Sequence, residues 1–307
     1  MSVNDAERQH PNALDSAASL LEQSQDYKVL RRLQHREVYL SRENPIERIG
    51  VYVDCETEGL ELEHKIIEVG LVRFAYDAKT GELLRLLPPI EGYSGFEDPG
   101  RPLSDVVKRL TGIRDEDLVG QRFDEKAIES LVVDANLILA HNARFDRPRF
   151  EKRFNCFSQM QWACSFKDIE WAEHGISSAK LDYLAYVFGF FFEGHRAVND
   201  CFAALEILGK EFPDDGKGVL QAMLSSARRV TWRHFANPAR NQNDRFRALG
   251  YRWCGKERAA SWYKDYVDES SAESARQSIQ ANESAVTQEV RRITALERYS
   301  IREMENA

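Results

Sequence analysis

Two long apolar runs, Arg48–Asp54 and Ile66–Tyr76, constrain the fold of this chain more than any other feature. Each has the length and composition of a buried strand. A third run, Leu83–Ile90, follows the turn sequence DAKTG at residues 77–81. Three successive strands joined by short connections predict that the sheet begins as an antiparallel one.

After these three strands, the sequence shows several helical patterns and one further short strand. The strand is Leu137–Ala140, and the predicted helices are Ser104–Leu110, Asp124–Val133, Ala143–Phe154, Phe166–Glu173, Leu181–Phe188 and Val198–Glu211. This order predicts an α/β fold in which helices flank both faces of a mixed sheet.

Glycine is absent from both ends of the chain, which are therefore expected to contain helices. We expect one helix around Leu14–Leu21 and a second that begins after an N-cap at Asp26. A helical stripe near the other end is formed by Ile279, Val286, Val290 and Ile293. The predicted organisation is a helical extension at 1–47, a main domain at 48–212, a connector at 213–227, a small basic and aromatic module at 228–268 and a helical tail at 269–307.

The 228–268 module has two interpretations. It holds ten Lys/Arg against four Asp/Glu, and three of the five tryptophans. Alternating arginine and aromatic residues can bind single-stranded nucleic acid, whereas tryptophan and tyrosine can also form the core of a small domain. We expect most of the aromatic residues to form a core, and we expect nucleic-acid contacts from Arg245, Arg247 and Arg252.

The net charge of −8 does not exclude a nucleic-acid partner, because a site for divalent cations must itself be acidic. Five cysteines without a CxxC pair do not form the pattern of a disulfide framework or a structural zinc site. The sequence has no signal-peptide pattern and no apolar run of membrane-spanning length. We therefore expect a cytoplasmic protein without a membrane partner.

Four carboxylates and one histidine lie in three short motifs. VDCETEGL holds Asp54 and Glu56, AHNARFD holds Asp146, and HRAVND holds His195 and Asp200. Carboxylate oxygens are the ligands that Mg²⁺ and Mn²⁺ prefer. Two such ions can activate a water and stabilise the leaving oxygen of a phosphodiester, and a histidine is a natural general base. The set predicts a two-metal nuclease.

Local geometry allows these residues to share a site. Alternation along a strand points Asp54 and Glu56 the same way and Cys55 into the opposite layer. His195 and Asp200 are five residues apart, which is about 140° around a helix. They can converge only if His195 lies in the loop before the helix.

The three motifs closely resemble DxETxGL, HNxxFD and HxxxxD of the DEDDh 3′–5′ exonucleases, which are DnaQ-like proteins. That family includes the proofreading subunit of bacterial DNA polymerase III, ribonuclease T and oligoribonuclease, and the resemblance covers residues 48–212. It implies a ribonuclease H-like fold and two metal ions. Asp54, Glu56 and Asp200 would hold one ion, and Asp54 and Asp146 the second.

The resemblance also implies roles around the metals. His195 would deprotonate the attacking water, and Thr57, Gly59 and Leu60 would line the 3′-terminal nucleotide. Further candidates for substrate contact are His141, Asn142 and Phe145.

The predicted activity is therefore a metal-dependent 3′–5′ exonuclease that acts on single-stranded ends and releases nucleoside 5′-monophosphates. DNA is favoured over RNA because the motif neighbourhood is closer to the polymerase III proofreading type, which suggests a role in proofreading or DNA repair. The alternatives are an RNA-trimming exoribonuclease and a non-catalytic nucleic-acid-binding scaffold. A second copy of the chain and a replication or repair complex are further candidate partners.

Overall fold

The computed structural model describes residues 11–254, 261–282 and 286–304. The strands in these ranges are β1 (Arg31–Arg32), β2 (Glu47–Thr57), β3 (Ile66–Asp77), β4 (Leu83–Leu86), β5 (Tyr93–Phe96), β6 (Leu137–Ala140), β7 (Trp162–Cys164), β8 (Phe190–Phe191), β9 (Thr231–Asn237), β10 (Arg252–Trp253), β11 (Trp262–Tyr266) and β12 (Thr287–Ile293). The helices are α1 (Pro11–Glu22), α2 (Asp105–Thr111), α3 (Asp115–Leu118), α4 (Glu125–Val132), α5 (Ala143–Arg153), α6 (Leu181–Val187), α7 (Ala197–Leu208), α8 (Val219–Ala227), α9 (Asn243–Ala248) and α10 (Glu269–Asn282). None of these helices has both the length and the apolar character needed to cross a membrane.

The central sheet is mixed, as the sequence predicts. Its strand order is β4-β3-β2-β6-β7, and β5 also pairs with β3. Strands β2 and β3 are antiparallel, from Glu47 opposite Asp77 to Thr57 opposite Ile66. Strand β6 runs parallel to β2, and β7 runs parallel to β6.

Each face of the central sheet packs on its own hydrophobic core, so helices flank both sides. Tyr52 lies in a core with residues of α6, α7 and α8, whereas Val53 lies in a core with residues of α4 and α5. Strand alternation explains this division. It also turns Asp54 and Glu56 toward α7, and Cys55 toward α5.

Helix α7 lies directly against β3 at Gly70. A Cβ atom at Gly70 would lie 2.3 Å from the backbone of Ala197 and Val198, at the start of this helix. Gly70 is also opposite Asp54 in the β2–β3 ladder. Because glycine has no side chain, α7 can approach the sheet closely here. This contact brings the first turn of α7 next to Asp54.

Most elements of the main domain lie close to their predicted positions. Ser104 and Asp124 accept hydrogen bonds from backbone N–H groups of α2 and α4, and so cap the two helices. Strand β4 ends at Leu86, earlier than predicted, since Pro88 and Pro89 cannot donate backbone hydrogen bonds.

The predicted helix at Phe166–Glu173 is wrong. Only the short 3₁₀ turn Trp171–His174 is present. The carboxylate of Asp168 folds back to accept a hydrogen bond from the Cys164 N–H at 2.8 Å. This bond turns the chain immediately after β7, where a helix would have to begin.

The second predicted helix of the N-terminal extension, after Asp26, is also wrong. Helix α1 is present, but β1 pairs in parallel with β8, and the N–H groups of Tyr39 and Leu40 donate to the Leu84 carbonyl at 2.8 and 3.0 Å. The extension therefore lies along sheet edges, where its backbone groups find partners that a free edge would lack.

A second sheet, here called the C-terminal sheet, has the order β10-β11-β9-β12. The predicted helical tail is correct for α10 and wrong for Thr287–Ile293, which pairs with β9 along its whole length. The β-branched residues of this segment favour a strand once a partner is available. The C-terminal sheet thus takes a strand from beyond residue 268. Several of the aromatic residues form its core, as predicted: Phe246, Tyr251 and Trp262 pack with Ala236, Ile279 and Val286.

The segment after β12 returns to helix α5 of the main domain. Arg147 of α5 is completely buried, and its guanidinium donates to the carbonyls of Ala295, Leu296 and Arg298. The N–H of Trp162 also donates to the Ala295 carbonyl at 2.9 Å. This part of the chain therefore wraps around its own main domain.

Candidate active site

Three carboxylates converge where β2 ends and α7 begins. One oxygen from each of Asp54, Glu56 and Asp200 lies within 4.8 Å of the others. Asp54 and Glu56 belong to β2, and Asp200 lies in the first turn of α7. The fold therefore brings the first and third predicted motifs together.

The closeness of these carboxylates raises their pKa values. Burial raises the pKa of Glu56 to about 8, and the charge of Asp200 adds to this effect. Burial also raises the pKa of Asp200 to about 7. The pKa of Asp54 lies well above its usual range because of burial and the charges of Asp146 and Asp200. Without a cation, the site therefore retains protons near neutral pH.

This donor set fits a hard divalent cation. All three groups offer carboxylate oxygens, which Mg²⁺ and Mn²⁺ prefer, and one ion can draw the three together from their present spacing. A cation would also replace the retained protons and remove the repulsion among the carboxylates. Asp54, Glu56 and Asp200 are thus the residues that would hold it.

Asp146 approaches from the opposite layer of the sheet. It is buried on α5, and its Oδ1 accepts a hydrogen bond from Cys55 Sγ at 3.3 Å. Burial raises its pKa to about 7. The sequence predicts that Cys55 points away from the metal ligands, and the thiol does enter the opposite layer. However, Asp146 reaches into that layer as well, so Cys55 contacts one of the predicted ligands.

His195 lies in the bend before α7, as its spacing from Asp200 requires. Its φ is 61° and its side chain is exposed. The Asp200 carboxylate accepts hydrogen bonds from the backbone N–H of Arg196, at 3.1 Å, and of His195. A candidate metal ligand therefore also holds the backbone that carries the candidate base.

The residues predicted to line the terminal nucleotide form a tight turn after β2. The Thr57 hydroxyl donates to the Gly59 carbonyl at 2.6 Å, so its proton is used within the turn and it could meet a sugar only as an acceptor. A Cβ at Gly59 would lie 2.5 Å from the His64 ring, so the glycine is required by packing inside the turn. Leu60, by contrast, is 83% exposed and offers an apolar surface.

Arg149 connects this turn to Phe145. Its guanidinium lies 3.6 Å from the centre of the Phe145 ring, donates to the Phe145 carbonyl at 2.8 Å, and donates to the Leu60 carbonyl. The structure thus links Leu60 and Phe145, two predicted substrate contacts, through an arginine that the sequence reasoning missed. Its signal is its position three residues after Asp146, one turn along α5.

His141 and Asn142 lie at the end of β6 and have different surroundings. The Ser165 hydroxyl lies 2.9 Å from His141 Nδ1, and the Ala179 carbonyl lies 2.8 Å from Nε2. Burial lowers the pKa of His141 to about 4. Its ring is therefore neutral and engaged within the protein, which argues against the predicted substrate contact through its nitrogens. Asn142 is exposed.

The three arginines that are predicted to contact nucleic acid lie on different faces of the C-terminal sheet. The Arg252 guanidinium lies 4.8 Å from the centre of the Tyr263 ring. The Tyr263 hydroxyl accepts a hydrogen bond from Arg144 of α5, so this face of the sheet is turned toward α5. Arg247 lies 5.8 Å from the ring of Trp262, the neighbour of Tyr263 in β11. Successive strand residues point to opposite faces. Helix α9, which carries Arg245 and Arg247, is therefore on the side away from α5.

Glu68 is a second residue that the sequence reasoning missed. It is fully buried in β3 opposite Glu56, and it forms an ion pair with Arg196. The run IIEVG contains its signal, because an acidic residue interrupts an otherwise apolar strand. A buried carboxylate of this kind requires a partner.

A family model described as exonuclease, RNase_T, matches residues 51–208, just over half of the chain. A PolC-type DNA polymerase III from Halalkalibacterium halodurans is 38% identical over 100 residues, which cover 31% of this chain and 6% of that polymerase. The epsilon subunit of DNA polymerase III from Aquifex aeolicus is 26% identical over 177 residues, which cover 55% of this chain and 83% of that subunit. The chain thus spans only a small part of the length of the PolC-type relatives.

Solved structures with a similar fold include an exonuclease X in complex with 5′ overhanging duplex DNA. It is 23% identical, with a TM-score of 0.38, over 56% of this chain and 99% of that one. An exonuclease I from E. coli in complex with a dA16 oligonucleotide is 14% identical, with a TM-score of 0.44, over 61% of this chain and 48% of that one.

Proposed function

We propose that this chain, which belongs to the RNase_T exonuclease family, hydrolyses the last phosphodiester bond at the 3′ end of a single nucleic-acid strand. The oxygen of a water attacks the phosphorus, and the bond from phosphorus to O3′ of the preceding nucleotide breaks. The products are a nucleoside 5′-monophosphate and a strand that is shorter by one nucleotide.

The observation that carries this proposal is the convergence of Asp54, Glu56 and Asp200, with Asp146 nearby in the opposite layer. Three converging carboxylates with raised pKa values, and a fourth nearby, are costly without a cation. Two divalent cations held by these carboxylates would stabilise the attacking and leaving oxygens of the phosphodiester.

The other site residues act on the water and on the terminal nucleotide. His195 accepts the water's proton at an imidazole nitrogen, and its exposed position in a bend leaves the ring free to meet the substrate. Leu60 and Phe145 offer apolar surface to the terminal base, and Arg149 holds the two in place.

We favour DNA as the substrate. The relatives from H. halodurans and A. aeolicus are DNA polymerase III proteins, and the first is 38% identical over 100 residues. By the same reasoning, an association with replication or repair proteins is proposed. RNA trimming is the alternative with the same chemistry, because discrimination depends on the shape around the 2′ position and not on the metal ligands.

A 5′-labelled oligonucleotide incubated with the protein and Mn²⁺ or Mg²⁺ tests this proposal. We expect a ladder of products that shorten from the 3′ end, and faster shortening of DNA than of an RNA of matched sequence. The variants Asp54→Ala and His195→Ala should lose at least about a hundredfold of this activity. Lys79→Ala, an exposed substitution at the other end of β3, is the control.

Thermal unfolding of each variant shows whether it remains folded. Undiminished hydrolysis by a folded Asp54→Ala or His195→Ala protein would contradict the proposed mechanism. Faster hydrolysis of RNA would replace the DNA assignment with the exoribonuclease. Absence of hydrolysis by the unmodified protein would favour a nucleic-acid-binding scaffold.

A further inference from the structure

A cleft of about 440 Å³ lies between the main domain and the C-terminal sheet. Asn142, Arg144 and Lys167 line one wall, and Thr231, Arg252 and Tyr263 line the other. The Arg144 guanidinium donates to the Tyr263 hydroxyl at 3.3 Å, which fixes the two walls relative to each other. The first wall lies within the family match, which ends at residue 208, and the second wall lies beyond it.

One wall of the cleft begins in the motif that carries Asp146. Asn142 lines it with an exposed side chain, and its carbonyl accepts a hydrogen bond from the N–H of Asp146 at 3.4 Å. Lys167 follows Phe166, whose ring packs edge-on against His141 at 5.6 Å. The motif that carries Asp146 therefore also supplies two residues, Asn142 and Arg144, to the wall of the cleft.

The charges that line the cleft favour an anionic polymer. The cations are Arg144, Lys167, Arg229, Arg233, Arg252 and Arg298, and the acids are Asp168, Glu170, Asp265 and Glu303. Three of these acids already form ion pairs with arginines of the cleft.

Lys167 and Arg229 differ from the other cations. Both are exposed, and neither takes part in an ion pair within the described ranges. They belong to different parts of the chain, one after β7 and the other before β9, yet they line the same cleft. Their charges are therefore available to an external anion.

We propose that this cleft binds the sugar-phosphate backbone of the substrate strand on the 5′ side of its terminal nucleotide. The inference rests on the proposed function and extends it. Lys167 and Arg229 contact phosphates, so the binding is independent of base sequence and weakens with salt. A strand whose 3′ end lies at Leu60 reaches the cleft only if it is several nucleotides long.

A comparison of the affinities for short and long strands distinguishes phosphate contacts in the cleft from contacts with the terminal nucleotide. Fluorescence anisotropy would measure the Kd of 5′-labelled oligothymidylates of three and twelve nucleotides, in an Asp54→Asn background that prevents degradation. The tested variants are Lys167→Glu and Arg229→Glu. The matched control is Lys79→Glu, because Lys79 is an exposed lysine in the turn after β3, at the far end of the strand from Gly70.

We expect each cleft variant to bind the twelve-mer about tenfold more weakly and the three-mer within about twofold of the parent. The slope of log Kd against log salt for the twelve-mer should fall by about 0.7 for each phosphate contact that is lost. The Lys79→Glu protein should bind both strands as the parent does.

Equal weakening for both lengths, or an equal effect of Lys79→Glu, would overturn the proposal. So would unchanged binding of the twelve-mer by both cleft variants, even if the unmodified protein shortens DNA. Conversely, if the unmodified protein shortens no strand, the proposed function fails, while the length-dependent loss of binding still supports the cleft as a backbone site.

Discussion

The Arg196 guanidinium donates to the Glu68 carboxylate from Nη2 at 3.1 Å and from Nε at 3.2 Å, and the Glu68 side chain is completely buried. Glu68 lies opposite Glu56 in the β2–β3 ladder, and Arg196 follows His195 in the bend before α7. The pair therefore fastens the bend that carries the candidate base to the strand beside the candidate metal ligands.

Replacement of Glu68 by glutamine should release this bend. We expect Glu68→Gln to lower kcat about tenfold, which corresponds to about 1.4 kcal/mol of transition-state stabilisation, and to leave KM within about twofold. The reason is that, in the proposed complex, the terminal base would contact Leu60 and Phe145, which the Arg196–Glu68 pair does not touch. Steady-state kinetics on a labelled DNA strand would measure both constants.

Glu47→Gln is the matched control, because Glu47 forms an ion pair with Arg85 at the other end of β2. Its kcat should remain that of the unmodified protein. An unchanged kcat in Glu68→Gln, or a loss confined to KM, would show that the bend does not depend on the ion pair.

Metal binding should release protons between pH 6 and 8. Without a cation, the pKa is about 8 for Glu56 and about 7 for Asp200, against about 4 for both groups in an unfolded chain. In the folded protein, Glu56 and Asp200 therefore keep their protons up to about pH 7 to 8, and a cation must displace these protons to bind. The affinity for Mn²⁺ should rise steeply from pH 6 to 8.

The same shifts determine the stability of the protein in EDTA. Because these folded-state pKa values are raised, the two groups stabilise the folded state at pH 4, and this contribution is lost as the pH rises to about 8. Added Mn²⁺ should restore stability most strongly at pH 8.

Titration calorimetry of Mn²⁺ binding, in buffers of different ionisation enthalpy, would count the protons that the metal releases, and a count of zero would contradict the expected proton release.

Gly70→Ala should both destabilise the protein and displace Asp200. The new Cβ would collide with the backbone at the start of α7, and backbone atoms cannot rotate away as a side chain can. We expect a loss of about 1–3 kcal/mol in the free energy of unfolding and a fall in activity larger than that loss explains. Denaturant unfolding and hydrolysis assays would measure the two effects.

Gly218→Ala is the control for this substitution. Its φ is −64°, and a Cβ there would meet its nearest neighbour, in Gln221, at an ordinary 3.5 Å. Because Gly218 is the N-cap of α8, where alanine is less favourable, the substitution should cost up to about 1 kcal/mol in stability but leave activity unchanged. A Gly70→Ala protein as active as this control would show that α7 can withdraw from β3 without affecting the site.

Several features of the site follow from local rules, which explains why the sequence predicts them. Strand alternation pairs Asp54 with Glu56, and the spacing of His195 and Asp200 requires a bend before α7. The family prediction is also confirmed, because its motifs lie within the 51–208 match. The contact between Cys55 and Asp146 follows from no local rule, because it depends on how far α5 leans across the end of the sheet.

Two of the three incorrect helix predictions, those at the two ends of the chain, have one physical cause. Thr287–Ile293 and residues 31–40 become extended because their backbones pair with strands that are distant in sequence, at β9 and at the edges formed by β4 and β8. Apolar spacing alone also fits a helix in both places. Only the position of the partner strand decides between the two, and a single sequence does not contain that information in local form.

Arg147→Met should detach the segment after β12 from α5. The substitution removes the guanidinium donors to the carbonyls of Ala295, Leu296 and Arg298, and the loss of these hydrogen bonds should cost about 3 kcal/mol in total. Limited proteolysis should then cut within residues 294–304. Lys126→Met, an exposed change on α4, should remain resistant, and equal resistance of the two variants would contradict this role.

The carbonyls that accept from Arg147 are synthesised long after Arg147 itself, which affects when the nascent protein can complete its fold. Helix α5 leaves the ribosome about 150 residues before the carbonyls that satisfy its buried guanidinium. A nascent chain that has reached residue 212 already contains every predicted metal ligand, yet the helix that carries Asp146 still lacks its supports. We therefore expect nuclease activity to arise only after residues 295–298 have been made.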